Sequence, residues 1–262
     1  DIMPSLVGSE MCIRDRLRSD GGLASAEAAK ATPVNLLMSG PAGGVSGAIW
    51  IAKQAGFTDL LTFDMGGTST DVALIQNGVP QTRRETRVAD VTVRSSSVDV
   101  RTVGAGGGSI ASADVAGGIQ VGPRSAGAVP GPACYDLGGS QPTVTDANLV
   151  LGRLAPMSLL GGGMEVDLDA ARRSIQDKLA EPLRLTIDQA AEGIIRVVNA
   201  TMTAAIGKLT VERGHDPREY VLCAFGGAGP LHGAELAAEL GLRETMVPIA
   251  PGVNSAIGLL MS

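Results

Sequence analysis

The sequence predicts an α/β protein, a mixed sheet covered by helices, and three observations carry that reading. Strand signals cluster around an Asn-Gly turn in the first third, strands alternate with helices toward the C-terminal end, and the composition suits closely spaced layers. Hydrophobic residues make up 44% of the 262 and charged residues 18%, a folded chain's balance, yet there are 36 glycines and only 3 Phe, 2 Tyr and 1 Trp. Such a core is built from Val, Ile, Leu, Ala and Met with many close backbone approaches. The net charge of −6 argues against a nucleic-acid footprint, which needs clustered Lys and Arg. No apolar run approaches the ~18 residues of a membrane span. Three scattered cysteines, Cys12, Cys134 and Cys223, support neither a disulfide framework nor a metal motif, and a reducing cytoplasmic setting fits them.

Residues 1–16, DIMPSLVGSEMCIRDR, have no period, no caps and no glycine bias. They read as a translated sequencing adapter, so the expected domain is 17–262, truncated at both ends. Val34, Leu36 and Met38 alternate as a short strand does, Ser39-Gly40-Pro41 reads as a turn, and a Gly/Ala-rich helix runs to Gly56. A strand at 60–63, a Gly66-Gly67 turn, a strand at 71–76, the Asn77-Gly78 hairpin signal and a third strand through 80–93 predict an antiparallel meander. Residues 116–146 read as loop. Leu168, Ala171, Ile175 and Leu179 mark an amphipathic helix over 167–180. Ile194, Val198, Met202, Ala205 and Leu209 form the stripe of the longest helix, over 187–210. A strand at 220–225, a glycine turn at 226–229, a helix with Pro230 in its first turn and Gly241 as its stop, and a strand at 245–249 complete the pattern.

The chemistry lies in the glycine turns. Backbone N–H groups converging at a turn hold phosphate well, and glycine lets the backbone come close. Gly66 and Gly67 supply such a turn, Thr68, Ser69 and Thr70 add hydroxyls, and Asp64 or Asp71 offers a carboxylate to Mg²⁺ through water. The same residues also fit an ordinary hairpin with a polar tip. Strand, Gly226-Gly227-Ala228-Gly229, then a helix N-terminus is a second nucleotide-type arrangement, without the dinucleotide fingerprint or the P-loop lysine. Thr102 to Ile110 form a third glycine loop, read as a binding loop rather than a flexible connection. Asp99 and Asp114 are candidate acids or turn formers, His232 is a ligand contact or a structural histidine, His215 is a capping or surface histidine in a helix exit loop, and Cys134 lacks the neighbouring His of a thiol nucleophile.

Five segments in order, MSGPAGGVSGA, LTFDMGGTSTDVALI, DVRTVGAGGGSIA, GPACYDLGGSQPTVTDANLVLGRL and ERGHDPREYVLCAFGGAGPLHGAELA, resemble the hydantoinase A / 5-oxoprolinase family from about residue 34 onward. The resemblance implies a ribonuclease-H-like, actin-like ATPase fold with two related halves and ATP between them, this chain being the second half. It implies that Gly66, Gly67, Thr68 and Ser69 face phosphates, that Asp64 joins the Mg²⁺ shell, and that Gly226, Gly227 and Gly229 form the adenosine-side loop. It further implies ATP-dependent opening of a small cyclic amide by phosphorylation of the amide oxygen, with a hydantoinase-B-like partner, in an oligomer. Related enzymes carboxylate acetone or acetophenone, and an actin-like nucleotide-binding switch is the non-catalytic alternative. The family's first phosphate loop is absent here, which predicts that this piece alone lacks half the ATP site and is inactive. Where some relatives have His, this chain has Arg101, which does not inherit that His's role and is instead suited to pairing with phosphate or a substrate carboxylate; the catalytic candidates are Asp71, Arg101 and His232.

Overall fold

The computed structural model describes residues 15–88, 90–155 and 164–262, so the reading of the first segment lies outside the described residues up to residue 14. Residues 16 and 17 pair with residues 24 and 23 in a short antiparallel ladder.

The centre is a mixed sheet whose strands are β1 (Leu60–Met65), β2 (Thr70–Gln76), β3 (Val100–Val103), β4 (Val221–Phe225) and β5 (Thr245–Met246). Their order across the sheet is β3-β2-β1-β4-β5, with Val79–Pro80 adding a short pairing to β2. β3, β2 and β1 pair antiparallel with one another, while β4 runs parallel to β1 and β5 parallel to β4. An antiparallel meander extended on its first edge by parallel strands, with helices on both faces, is the ribonuclease-H-like, actin-like ATPase fold.

Leu61, Phe63 and Met65 alternate with Leu60 along β1, and all four are at most 1% exposed. Period-2 side chains buried on both faces require cover on both sides. On one face lie α2 (Val144–Val150), α3 (Leu168–Ile175), α4 (Ile187–Thr210) and α5 (Gly229–Leu240), in one apolar cluster with Leu61, Phe63, Met65, Val72 and Leu74. On the other lie α1 (Ser39–Gln54) and α6 (Asn254–Met261), with α1 supplying Val45 and Ala52 against Leu60, Ala73 and Ile75. The small residues of α1 serve a second helix as well as the sheet. A Cβ on Gly43 would meet the Ser255 carbonyl at 2.8 Å, one on Gly44 would meet Phe225, and Asn254 Nδ2 donates to the Gly44 carbonyl at 3.0 Å.

The α4 helix starts on a reciprocal Thr186/Gln189 capping box, which satisfies two otherwise orphaned N–H groups. Four of its five expected stripe residues are buried, while Ala205 is half-buried and Ile206 takes the core position. Among the described residues, the span Ile187–Arg213 is also long and apolar enough to cross a membrane, with mean hydropathy 1.3, contrary to the expectation that no apolar run reaches that length. Its apolar stripe is the core of this fold.

Several expectations are corrected. Residues 34–38 form no strand: Pro33–Leu36 is a 3₁₀ turn, with Val34 38% exposed and Leu36 and Met38 only half-buried, so their alternation is not a buried face. Ser39-Gly40-Pro41 is the first turn of α1, where proline's missing N–H costs nothing. The third meander strand is β3, not 80–93; that charged stretch breaks into short pairs, Thr82–Arg83 with Ser97–Val98 and Thr86–Val88 with Val91–Val93. Within 116–146 lie a strand, Ile119–Ser125, paired with Ser109–Ala113, and the start of α2, capped by a Thr143/Asp146 box. The helix over 167–180 is α3 continued by a π turn, Gln176–Ala180. The last strand stops at Met246, before Pro248, and Ile249 is fully exposed.

Candidate functional site

Parallel neighbours β1 and β4 end side by side, Asp64 in register with Phe225, and each delivers a glycine loop at its carboxyl end. In open α/β sheets this end is where ligands bind. The two loops are tied by Ala228 N–H, which donates to the Met65 carbonyl at 2.9 Å, while Gly226 N–H is anchored on the Pro251 carbonyl at 2.9 Å. Gly226 has φ +81°, and a Cβ there would collide with the Asp64 carboxylate and the Met65 carbonyl. Between the loops opens a cleft of about 670 Å³, lined by Gly66, Gly67, Gly107, Gly226, Gly227 and Ala228, with Tyr135, Leu137, Leu154 and Leu231 as apolar wall.

The β1–β2 hairpin is clamped from behind. Gly66 N–H closes the turn on the Ser69 carbonyl at 3.0 Å, while the Gly66 and Gly67 carbonyls accept from Gly107 N–H at 2.9 Å and Gly108 N–H at 2.6 Å. The third glycine loop is therefore a brace whose donors are spent on the hairpin, although Gly107 also lines the cleft. Thr145 secures the brace in turn, its N–H and hydroxyl both donating to the Gly107 carbonyl, at 2.8 and 2.9 Å. With the carbonyls turned into the brace, the N–H groups of Gly67, Thr68 and Ser69 have no partner among the described residues. Thr68 is exposed and Ser69 half-buried, so their hydroxyls are available. Thr70 is not: it is buried, and its hydroxyl donates to the Ala105 carbonyl at 2.6 Å.

Asp64 and Asp71 face each other across the β1–β2 pair. Like charges directly opposite repel. Burial, and then the Asp71 charge, push Asp64 up to about 6, against a hydrogen bond from Ser255 that pulls the other way. Asp71 is raised by burial despite accepting from the Thr102 hydroxyl at 2.6 Å. Two proximate carboxylates with raised proton affinity are hard oxygen donors suited to a partly hydrated Mg²⁺. Among the described residues no group of three or more His, Cys, Asp or Glu is placed to hold a metal, so the remaining ligands of such an ion would be water or phosphate.

The other candidates are dispersed. His232 is fully buried, and its protonation follows from its neighbours. Arg153 pairs with Glu235 at 2.6 Å, and Glu235 accepts from Asn199 Nδ2 at 2.6 Å. That leaves Asn199 Oδ1 facing His232, so Nδ1–H is the donor at 2.8 Å, and Nε2 accepts from Asn148 Nδ2 at 3.2 Å. Burial and the Arg153 charge push this imidazole down to about 4, against Glu235. His232 is a neutral tie between α2, α4 and α5, not an acid or base for the cleft. Asn148 also lines the cleft, its Oδ1 left without a partner. Arg101 is exposed on edge strand β3 and lies in a separate groove. Asp99 is paired with Arg213 and Arg83, and Asp114 forms a turn, accepting from Ala116 and Gly118 N–H. His215 is half-buried beside Gln76 and Tyr220. The Cys134 thiol is buried and pushed up by burial and by Asp146, whose buried carboxylate accepts from Ala133, Cys134 and Thr143; it is no nucleophile.

The cleft's residues fall within one family profile, described as hydantoinase/oxoprolinase, which matches residues 14–262. The chain belongs to the hydantoinase/oxoprolinase family. Caprolactamase subunit alpha of Pseudomonas jessenii is 42% identical over 245 residues, 94% of this chain and 35% of that protein. 5-Oxoprolinase 1 of Arabidopsis thaliana is 38% identical, over 93% of this chain and 20% of its own length. A nucleotide-free structure of acetone carboxylase, described in terms of ATP-dependent acetone carboxylation, superposes with TM-score 0.84 and 31% identity, covering 94% of this chain and 34% of that one. The chain thus spans a fifth to about a third of these family members.

Proposed function

We propose that this chain supplies one wall of an ATP site in an enzyme that opens a cyclic amide, and that the glycine hairpin is its phosphate-binding element. One observation carries the reading. Gly66 and Gly67 have no need to be glycine for the fold: neither has φ in the left-handed region, a Cβ on Gly66 would have nothing nearer than 3.8 Å, and one on Gly67 would meet nothing within 4 Å. Gly227, across the cleft, is equally uncrowded. Glycine whose space is free inside the molecule, beside N–H donors without partners, fits a backbone kept bare for an anion outside it.

On this reading Gly67, Thr68 and Ser69 donate to phosphate oxygens, and Asp64, with Asp71 behind it, orients Mg²⁺ through water. Gly226, Gly227 and Gly229 form the adenosine side, where the N-terminus of α5 adds its dipole. ATP supplies activation of the amide oxygen by phosphorylation, which lets water attack the ring carbon. The second wall of the site belongs to the rest of the protein, and a hydantoinase-B-like subunit completes the hydrolytic centre. The relatives' names support this class: a caprolactamase subunit and a 5-oxoprolinase among them.

The test is ATP hydrolysis by the full-length protein with its B-type partner. A cyclic amide such as 5-oxoproline, hydantoin or caprolactam should stimulate turnover. Stimulation only by acetone or acetophenone with bicarbonate would make it a ketone carboxylase subunit instead, and ATP binding without stimulation by any of these would reduce it to a nucleotide-binding module.

A further inference from the structure

We propose that an arginine-lined groove along edge strand β3 is a binding site for a small oxyanion, the carboxylate or phosphate group of a ligand. The groove has a volume of about 690 Å³ and gathers Arg83, Arg87, Arg101 and Arg213 around a single acidic residue, Asp99. In a chain of net charge −6, Arg83, Arg101 and Arg213 alone outnumber the one lining carboxylate, Asp99.

Two of these guanidinium groups are set from beneath. Asp99 is 8% exposed, and its carboxylate meets Arg213 at 2.7 Å and Arg83 at 3.7 Å. Arg213 also donates to Gln81 Oε1 at 2.9 Å, and Arg83 Nε donates to Ser97 Oγ at 3.3 Å. Their side chains remain 28% and 30% exposed. One carboxylate thus pre-orients two rigid, planar donor forks and satisfies only some of their five N–H groups each. Arg101 completes the set from β3, exposed and with no ion pair or hydrogen bond to the described residues. Held forks plus one unpaired fork is the arrangement that captures carboxylate or phosphate through charge-assisted, bidentate hydrogen bonds. A merely solvated basic face would leave its arginines unanchored.

The groove also touches the carboxylate pair: its next residue, Thr102, donates its hydroxyl to Asp71. Where the proposed nucleotide reading holds, the oxyanion would belong to a substrate bearing a carboxylate or to a phosphate product. The groove's own geometry does not require that reading.

Calorimetry separates the possibilities with three probes at fixed ionic strength. They are 5-oxoproline, 2-pyrrolidinone, which is the same ring without its carboxylate, and inorganic phosphate. Saturable binding of 5-oxoproline or phosphate, none of the neutral ring, and at least tenfold weaker binding in Arg101→Ala with unchanged melting temperature are expected; the preferred anion identifies the source. Arg101→Lys, which keeps the charge but not the fork, should bind between the two. No saturable anion binding, equal binding of 2-pyrrolidinone, or anion binding indifferent to Arg101 overturns the assignment. Mg-ATP titrated into the same samples distinguishes the two failures, since anion binding that survives without ATP binding leaves the groove and removes only the nucleotide reading.

Discussion

Asp64→Asn will abolish amide-stimulated ATP turnover, by at least about a hundredfold, and leave the fold as stable as the parent or more so near pH 7.5. The loss follows from the proposed function, in which Asp64 is the carboxylate that orients Mg²⁺ through water. The retained stability follows from the pair's electrostatics, because Asp64 is ionised at that pH although burial and Asp71 oppose it, holding it at about 6 against the ordinary 3.8. Neutralising it relieves on the order of 1 kcal/mol, after discounting for the solvent that still reaches the group.

The pH profiles check the sign. A carboxyl whose folded value is raised gives stability that is fully present below 3.8 and lost as pH rises through about 6. His232 works the other way: its folded value, about 4, lies below the ordinary 6.5, so stability present above 6.5 is lost as pH falls through 4. In the parent the two partly offset between pH 6.5 and 4. In Asp64→Asn the Asp64 contribution is gone while the histidine contribution remains, and denaturant melts should show stability falling more steeply with acid than in the parent. A variant that is clearly less stable at pH 7.5 would make Asp64 a structural residue.

Gly106→Val will cost about 1–3 kcal/mol of stability and weaken Mg-ATP binding at least tenfold. A Cβ on Gly106 would stand 2.7 Å from Ser69 N and from Thr68 C and 2.8 Å from Gly67 C, all backbone of the hairpin itself. Either the hairpin or the brace must move, and the Gly107–Gly66 and Gly108–Gly67 hydrogen bonds are stretched with it. Nucleotide titration beside thermal melts reads both effects. Lost stability with unchanged nucleotide affinity would show that the hairpin's position does not matter to binding.

The strands and helices that bury one strong pattern were legible in the sequence: β1, β2, α4, β4 and α5 lie within a residue or two of their expected bounds. So were the two glycine turns that meet at the cleft. What could not be read was pairing across long separations. The strand that completes the meander, β3, is only four residues long, and two of them, Arg101 and Thr102, are exposed, so it carries no apolar period; its place is fixed by its ladder with β2. The start of α2 is hidden in the sequence although Thr143 and Asp146 have the capping-box spacing, because Pro142 and the glycines before it also read as loop. The brace function of residues 104–108 and the burial of His232 depend on contacts with the hairpin and with Asn148, Asn199 and Glu235. In sequence those residues are only scattered polar positions. The Arg83–Asp99–Arg213 cluster likewise joins residues up to 130 apart in number.

The most direct test of the central claim is a calorimetric titration of Mg-ATP into the full-length protein and its Gly67→Ala variant, with melts on the same samples. Alanine fits here without contact and restricts the unfolded chain, so the melting temperature should hold or rise, by up to about 1 kcal/mol of stability. Nucleotide affinity should fall at least tenfold, because on the proposed reading the new methyl takes space that a phosphate fills. Parent-like affinity in Gly67→Ala, or a parent protein that binds no Mg-ATP, would contradict the account.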